Sequence, residues 1–293
     1  MHAVLVAAVA VLPVLAAADA PPPSRPSRTA VRTLDVTASD FAFHAADTVA
    51  AGRIRLRVKN AGRELHVLEV ARLADGHTAE ELAAHLAARR PAPAWATFVG
   101  GPIAPPPSPG GGRAAGPADD LAVTLDLAPG RYALICPIPS PADHTPHMSK
   151  GMVRTLVVTP APAPPRAERS PARVATPTAR VVLDDYGFVL EPAWRAGRQT
   201  VRVENRAAQP HEIAVFRLAP GKRVADVLRW AAALDGPPPG ALVGGTTALS
   251  RGEVASIALS LTPGTYALLC FLPDATDGRS HVQHGMTREV TVR

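Results

Sequence analysis

The sequence is poor in cysteine, in aromatic residues and in lysine, and each shortage narrows what the chain can be. Its 293 residues include 2 cysteines, which permit one disulfide at most, and aromatic residues make up 4% of the chain. Lysine occurs only at positions 59, 150 and 222, and the arginines form no long basic block. The net charge of +6 therefore comes from scattered arginines and does not indicate a nucleic-acid-binding surface.

Proline and glycine are abundant by contrast, with 32 and 22 residues, which favours many turns and short strands over a helical bundle. In one segment Ile54, Leu56 and Val58 alternate with arginines, which is the period-two pattern of a half-buried strand. Many segments of this kind, with one helical segment in each half, predict an all-β fold of two β-sandwiches.

The N-terminal segment indicates export. Residues 3–18 form an apolar run followed by small residues, so we predict a signal peptide at 1–20, cleaved after Ala18 or Ala20. An uncleaved membrane anchor is the alternative, and it is disfavoured because Pro13 interrupts the run. No cysteine lies nearby to carry a lipid. We expect a periplasmic or extracellular protein with no stable membrane insertion after cleavage.

Two proline-rich segments divide the rest of the chain. We predict a spacer at 21–32, a first domain at 33–160, a linker at 161–178 and a second domain at 179–293. The strand-like segments of the two domains match one by one, which indicates a tandem duplication rather than one large sheet. Each domain carries a short helical insertion, and in the first one Thr78 and Glu81 have the spacing of a capping box.

A set of metal-binding residue types occurs twice at matched spacing. In each half a histidine on a predicted strand precedes a cysteine, a second histidine lies eleven positions after the cysteine, and a methionine lies five positions further on. The two sets are His66, Cys136, His147 and Met152, and His211, Cys270, His281 and Met286. Two histidines, a cysteine and a weak axial methionine are the ligands of a mononuclear blue copper site. We therefore predict up to one copper ion per domain, cycling between Cu(I) and Cu(II).

The two cysteines allow other interpretations, because exported proteins form disulfides. Cys136 and Cys270 end equivalent strands of separate domains, so a disulfide would have to bring these two positions within about 7 Å, Cα to Cα. Two chemically inert buried cysteines are the other alternative. The recurrence of all four residue types at matched positions favours metal binding over both.

These motifs resemble the cupredoxin family. A Gly-x-Tyr-x-x-x-Cys strand, a His-x₄-Met segment ending in Gly-Met, and an asparagine six positions before the first histidine (Asn60 and Asn205) occur in both halves. The resemblance covers nearly the whole chain after the signal and implies two tandem cupredoxin-like Greek-key β-sandwiches. It also implies the eight residues above as ligands of two type 1 copper sites. The spacing from cysteine to loop histidine exceeds that of small electron-transfer cupredoxins and is comparable to that of copper nitrite reductases.

The resemblance implies one-electron transfer with an unidentified redox partner protein. Alternatives are copper storage or delivery, and a metal-free binding module of the same fold. A two-domain copper enzyme similar to nitrite reductases is disfavoured, because such enzymes use His-x-His pairs and a histidine directly before the cysteine. Ile135 and Leu269 occupy that position here, and the sequence contains no His-x-His. We therefore expect no enzymatic activity.

The remaining histidines and one methionine lack a matched counterpart of the same type. Within the loops this applies to His144, Met148 and His284, which align with Gly278, Val282 and Lys150. We expect none of them to bind the metal. Three further histidines are expected to face solvent, namely His44, His77 and His85.

Overall fold

The computed structural model describes residues 31–105, 121–162, 176–233 and 236–293. The predicted signal peptide lies outside these residues, as do most of the predicted spacer and most of the predicted linker.

Both halves consist mainly of strands. The first half contains β1 (Arg32–Ser39), β2 (Ala42–His44), β3 (Thr48–Ala50), β4 (Gly52–Asn60), β5 (His66–Val67), β6 (Glu69–Leu73), β7 (Ala96–Gly100), β8 (Ile103–Ala104), β9 (Val123–Leu127), β10 (Gly130–Ile135) and β11 (Val153–Thr159). The second half contains β12 (Ala179–Asp184), β13 (Gly187–Glu191), β14 (Gly197–Asn205), β15 (His211–Leu218), β16 (Gly240–Leu249), β17 (Val254–Leu261), β18 (Gly264–Leu269) and β19 (Thr287–Val292). The prediction of a mainly β protein is confirmed.

Each half also contains the predicted helical insertion, α1 (Ala79–Ala87) after β6 and α2 (Val224–Ala233) after β15. Helix α1 begins where expected, because the side chain of its N-cap Thr78 accepts a hydrogen bond from the Glu81 amide at 3.0 Å. Within the described parts of the chain, no helix is long and apolar enough to cross a membrane.

The strands of the two halves join in shared sheets. One sheet has the order β13-β12-β14-β17-β9-β4-β1-β2, another has the order β19-β18-β15-β16-β7-β6-β10-β11-β3, and β5 pairs with β8. A tandem duplication rather than one large sheet was expected from the sequence, and the strands of the two halves nevertheless pair in common sheets. Strand β9 pairs with β17 and β7 pairs with β16, so strands at equivalent positions of the two halves meet antiparallel. These contacts satisfy edge groups that each half would otherwise leave unpaired.

The core lies between the inner faces of the two large sheets. Ile54 and Leu56 of β4 are fully buried and belong to one apolar cluster with Val70 of β6 and Leu134 of β10. The arginines that alternate with them are partly or fully exposed, as the period-two pattern predicts.

A repeated tyrosine holds the strand that leads into each cysteine. Tyr132 OH donates to Ala128 O at 2.9 Å, and Tyr266 OH donates to Thr262 O at the same distance. Both rings are almost fully buried, so this hydrogen bond pairs a hydroxyl group that would otherwise be buried without a partner. The Gly-x-Tyr part of the motif therefore anchors the strand before the site.

Two candidate metal centres

Each half brings together two histidines and one cysteine that are far apart along the chain. The residues are His66, Cys136 and His147 in site 1, and His211, Cys270 and His281 in site 2, with ligand atoms within 4.8 Å of one another. In each site the first histidine begins a strand, the cysteine directly follows a strand, and the loop histidine opens a 3₁₀ turn. All six side chains are fully buried.

The asparagine of the motif braces the segment before the first histidine. Asn60 Nδ2 donates to Glu64 O at 2.8 Å and to Ala104 O at 2.9 Å. Asn205 makes the equivalent bonds, to Gln209 O and Leu249 O. The asparagine thus ties the loop that delivers the histidine to the neighbouring strand, which accounts for its recurrence six positions upstream.

The long spacing between cysteine and loop histidine is taken up by a closed side loop. In site 1, Pro139 and Pro146 form an isolated β-bridge, and Ser140 N donates to Thr145 O at 2.9 Å. The residues between them therefore form a closed side loop. His147 N then donates to Ile138 O, close to the cysteine. Site 2 repeats the arrangement with a bridge between Pro273 and Ser280. The ten-residue spacing therefore does not carry the histidine away from the cysteine.

In site 1 three donor atoms converge on one point. His66 Nδ1 lies 3.1 Å from His147 Nδ1, and Cys136 Sγ lies 3.5 Å from His147 Nδ1. On the outer side, His66 Nε2 donates to Asp40 Oδ1 at 3.3 Å and His147 Nε2 donates to Glu64 Oε2 at 2.8 Å. Since carboxylates only accept, the ring protons lie on Nε2, and both Nδ1 lone pairs face the interior of the site.

Site 2 has the same inner geometry. His211 Nδ1 and His281 Nδ1 lie 2.9 Å apart, and Cys270 Sγ lies 3.2 Å from His281 Nδ1 and 3.8 Å from His211 Nδ1. Burial, and secondarily the neighbouring His211, lowers the pKa of His281 to about 4. Burial also lowers the pKa of His211. The rings are therefore neutral at neutral pH, as metal-ligating imidazoles must be.

The donor set fits a single soft cation. Two nitrogens about 2.0 Å and a thiolate about 2.3 Å from one ion, at angles of about 100–120°, lie about 3.1–3.7 Å apart. The distances in both sites agree with this range to within about 0.2 Å. In site 1 two imidazole lone pairs that face each other at 3.1 Å repel unless a cation lies between them.

Both cysteines are free thiols in buried surroundings. Burial raises the pKa of Cys136 to about 12, and burial, with the nearby Glu212, raises the pKa of Cys270. Among the backbone groups around each Sγ, the amide of Val67 donates to it at 3.4 Å in site 1 and the amide of Glu212 does so at 3.4 Å in site 2. A cation that binds must displace the thiol proton, because the thiolate is the ligand.

No protein-family model and no curated protein matches the chain. Among solved structures, reduced auracyanin from Roseiflexus castenholzii is 23% identical over 39% of this chain and 94% of its own, with a TM-score of 0.30. Auracyanin B is 25% identical over 41% and 93%, with a TM-score of 0.28. An azurin from Methylomonas sp. strain J is 16% identical over 39% and 94%, with a TM-score of 0.27.

The chain resembles cupredoxins. The match is the one that its repeated motifs predict, and each neighbour covers about two fifths of the chain. The assignment of a function rests on the geometry of the two sites.

The two methionines of the cupredoxin-like motif lie beside the sites. Both are fully buried. The amide of Cys136 donates to Met152 O at 3.3 Å, and the amide of Cys270 donates to Met286 O at 3.4 Å. These bonds join each methionine to its cysteine through the backbone, while thioether ligation remains a prediction.

The carboxylates that contact the ligand rings were not among the residues predicted from the sequence. Asp40 and Asp185 each lie 26 positions before the first histidine of their half, and each approaches its Nε2, at 3.3 and 3.5 Å. This matched spacing was a signal that could have identified them. Glu64 could not be found in this way, because Gln209 occupies its position in the second half.

The unmatched histidines and Met148 lie outside both clusters. Met148 packs in a second apolar cluster, and His284 contacts Asp277 at 3.2 Å. His77 and His85 are partly exposed, so the expectation that they face solvent holds in part, and Trp95 lies against both of them. His77 stacks on the indole with ring centroids 4.2 Å apart, and His85 meets it edge-on. His44 is exposed as expected.

Among the residues that the structure describes, one further group of ligand-type side chains lies beside site 2, formed by Asp274, Asp277 and His284. The oxygens of Asp274 already accept hydrogen bonds from Tyr186, from Gln209 and from backbone amides. We therefore assign it a structural role in the loop.

Proposed function

We propose that the chain is a copper protein with one type 1 site in each half, and that it works in one-electron transfer. The observation that carries the proposal is the convergence of two imidazole Nδ1 atoms and one cysteine Sγ, fully buried, at matched positions in both halves. Met152 and Met286 would be the weak axial ligands.

Copper is the cation that this donor set favours. Thiolate, thioether and imidazole ligands select soft or borderline metals over Mg²⁺ or Ca²⁺, and a His₂Cys set with a weak axial sulfur is typical of blue copper sites. A structural zinc site would ordinarily use four strong ligands of the histidine and cysteine type, and each site offers three.

Electron transfer fits the enclosure of the sites. Bound copper supplies a one-electron couple between Cu(II) and Cu(I). In site 1 outer hydrogen bonds hold both imidazoles, and in site 2 Asp185 contacts His211. All three ligands of each site are buried, so water is excluded and the ligand geometry is preset. Because no ligand is exposed, a substrate has no open coordination position to reach, and this favours an electron carrier over an enzyme.

The proposal extends to the arrangement of the chain. We propose two cupredoxin-like Greek-key domains, at 33–160 and 179–293, that meet through shared sheets. We also propose export to the periplasm or cell exterior by the segment 1–20, and an exchange of electrons with a partner protein. The apolar run at residues 3–18 supports export.

Copper storage or delivery is the second candidate function. It uses the same ligands, and the fold alone does not distinguish it from electron transfer. The two differ in the importance of the methionines, which are principal ligands for a Cu(I) carrier and weak ligands in a type 1 site.

Copper titration of the purified protein tests the main proposal. The intact chain should bind about two equivalents of copper and develop the intense visible band of a cysteine–copper bond. Cys136→Ser and Cys270→Ser should each remove about one equivalent, and only the double variant should lose all colour, because the thiolate both holds the ion and produces the band.

His144→Ala and His284→Ala are matched controls, since they remove loop histidines that lie outside both clusters. They should leave copper content and colour unchanged. A colourless copper-loaded protein contradicts the type 1 assignment, and loss of all colour in one single cysteine variant restricts it to one half.

A further inference from the structure

The two sites differ in the residues around the loop histidine. Glu64 and Gln209 both lie two positions before the first histidine of their half, and Ser140 and Asp274 both lie four positions after the cysteine. The first half thus has its carboxylate two positions before the first histidine, and the second half has its carboxylate four positions after the cysteine.

In site 1 the carboxylate bonds to the ligand ring directly. His147 Nε2 donates to Glu64 Oε2 at 2.8 Å, and Ser140 Oγ donates to the other oxygen of Glu64 at 3.0 Å. The glutamate is thereby held against the imidazole from its outer side.

In site 2 the carboxylate bonds to other groups. Tyr186 OH and Gln209 Nε2 donate to Asp274 Oδ2 at 2.6 and 2.8 Å, and two backbone amides donate to Oδ1. Asp274 Oδ2 lies 3.9 Å from His281 Nε2, beyond hydrogen-bond distance. Among the described residues, this buried Nε2 has no hydrogen-bond partner.

Other carboxylates lie near both sites. The first histidine of each site faces one aspartate, Asp40 or Asp185. Glu69 and Glu64 both add to the raised pKa of Cys136, and Glu212 adds to that of Cys270. Glu64 is therefore the carboxylate that distinguishes site 1, through its hydrogen bond to the loop histidine and its proximity to the thiol.

A carboxylate that accepts the outer N–H of a ligating histidine makes the ring a stronger electron donor, and a stronger donor stabilises the more highly charged metal ion. We propose that Glu64 makes site 1 the lower-potential site, so that in the half-reduced protein the electron resides on site 2. Glu64 acts here as a positioning residue through His147. The inference rests on the proposed copper function.

Potential measurements on single sites test it. Cys270→Ser leaves site 1 as the coloured site, and Cys136→Ser leaves site 2. Spectroelectrochemical titration should give the lower potential for site 1. In the Cys270→Ser background, Glu64→Gln should weaken Cu(II) binding about 10–100-fold, with a smaller effect on Cu(I) binding. Each tenfold loss in Cu(II) alone raises a one-electron potential by about 59 mV.

The reciprocal change provides a second arm. In the Cys136→Ser background, Gln209→Glu combined with Asp274→Ser installs the pair of site 1 and should lower the potential of site 2. Asp143→Asn is the matched control for Glu64→Gln. It removes an exposed carboxylate from the loop between Cys136 and His147, and this carboxylate pairs with Lys150 rather than with a ligand ring.

Three results overturn the inference. Site 1 could have a potential equal to or above that of site 2, or Glu64→Gln could shift the potential no more than Asp143→Asn does. If neither site of the unaltered protein gives the cysteine–copper band, the proposed function fails and the inference fails with it. A band without the predicted order of potentials sinks the inference alone, and either arm decides it if the other variant does not fold.

Discussion

Single residues at the sites control when a metal can bind. The thiol of Cys136 is fully buried and burial raises its pKa to about 12, so at neutral pH the empty site holds the proton that the metal must displace. Burial lowers the pKa values of His66, His211 and His281, so these three imidazoles contribute no further proton at neutral pH.

We therefore predict that copper affinity rises about tenfold per pH unit for each site between about pH 7 and 9, since one proton leaves as each ion binds. Competition with a chelator of known pH dependence measures this slope. Cys136→Ser, which loses the copper of site 1, should leave one equivalent that shows the slope of site 2 alone. An affinity independent of pH would show that the thiolate already exists in the metal-free protein.

The methionines distinguish electron transfer from copper storage. In a type 1 site the thioether is a weak ligand that mainly tunes the potential. Met286→Leu and Met152→Leu should each leave copper bound and raise the potential of their own site, because loss of a donor disfavours Cu(II). Voltammetry and titration with a Cu(I) chelator measure both quantities. A large loss of Cu(I) affinity without a coloured Cu(II) form would favour storage or delivery instead.

At the scale of elements, short loops place the ligands by close backbone contacts. The loop between β7 and β8 lies against the segment after β5, where Leu68 N donates to Pro102 O at 2.9 Å. A Cβ on Gly101 would lie 1.7 Å from Leu68 O and 3.2 Å from Thr247 Oγ1. Strand β8 in turn pairs with β5, and in this pairing Ala104 of β8 lies opposite His66 of β5.

Gly101→Ala should therefore lower the free energy of unfolding by about 1–3 kcal/mol, because backbone must move to admit the methyl group. It should also weaken copper binding at site 1 more than at site 2. Denaturant titration and copper titration measure the two effects. Gly187→Ala is the control, since a Cβ there meets nothing within 4 Å. Equal losses of copper affinity at the two sites would contradict an effect transmitted to site 1 through β8.

At the scale of the whole molecule, a buried acid crosses the contact between the halves. Glu69 of β6 is 3% exposed and lies against Thr247 and Ala248 of β16, at 3.2 and 3.1 Å. Burial raises its pKa well above the ordinary value, and Glu212 of the other half raises it further. The folded protein therefore retains a proton that the unfolded chain releases.

The sign of the pH effect follows from this difference. The stability that the neutral acid contributes is present below about pH 4.5, the pKa of an unperturbed glutamate, and is lost as the pH rises through the folded pKa. Glu69→Gln has no proton to lose, and its amide can donate to Thr247 and accept from Ala248. We predict that this variant is more stable than the parent at about pH 8 and similar to it at about pH 5.

Urea unfolding of the metal-free protein at both pH values tests the prediction. Glu80→Gln on the exposed side of α1 is the control and should show no such pH-dependent gain. If Glu69→Gln loses stability equally at both pH values, the carboxyl serves the interface by hydrogen bonding alone.

The sequence by itself determined the repeat, the strand pattern and the identity of the residues that converge in each site. Alternation such as Ile54, Leu56 and Val58 is a local property, and the spacing of Cys136, His147 and Met152 is visible because the chain states it twice. The mainly β fold and the two helices could be predicted for the same reason.

Only the tertiary structure decided how the halves meet and which groups surround the ligands. The pairing of β9 with β17 depends on contacts between distant strands, for which no local pattern exists. Glu64 reaches His147 across 83 positions of sequence. Gln209 occupies the position of Glu64 in the second half, so comparison of the two repeats does not identify Glu64 as a partner of a ligand ring. Its contact with His147 is seen only in the three-dimensional structure.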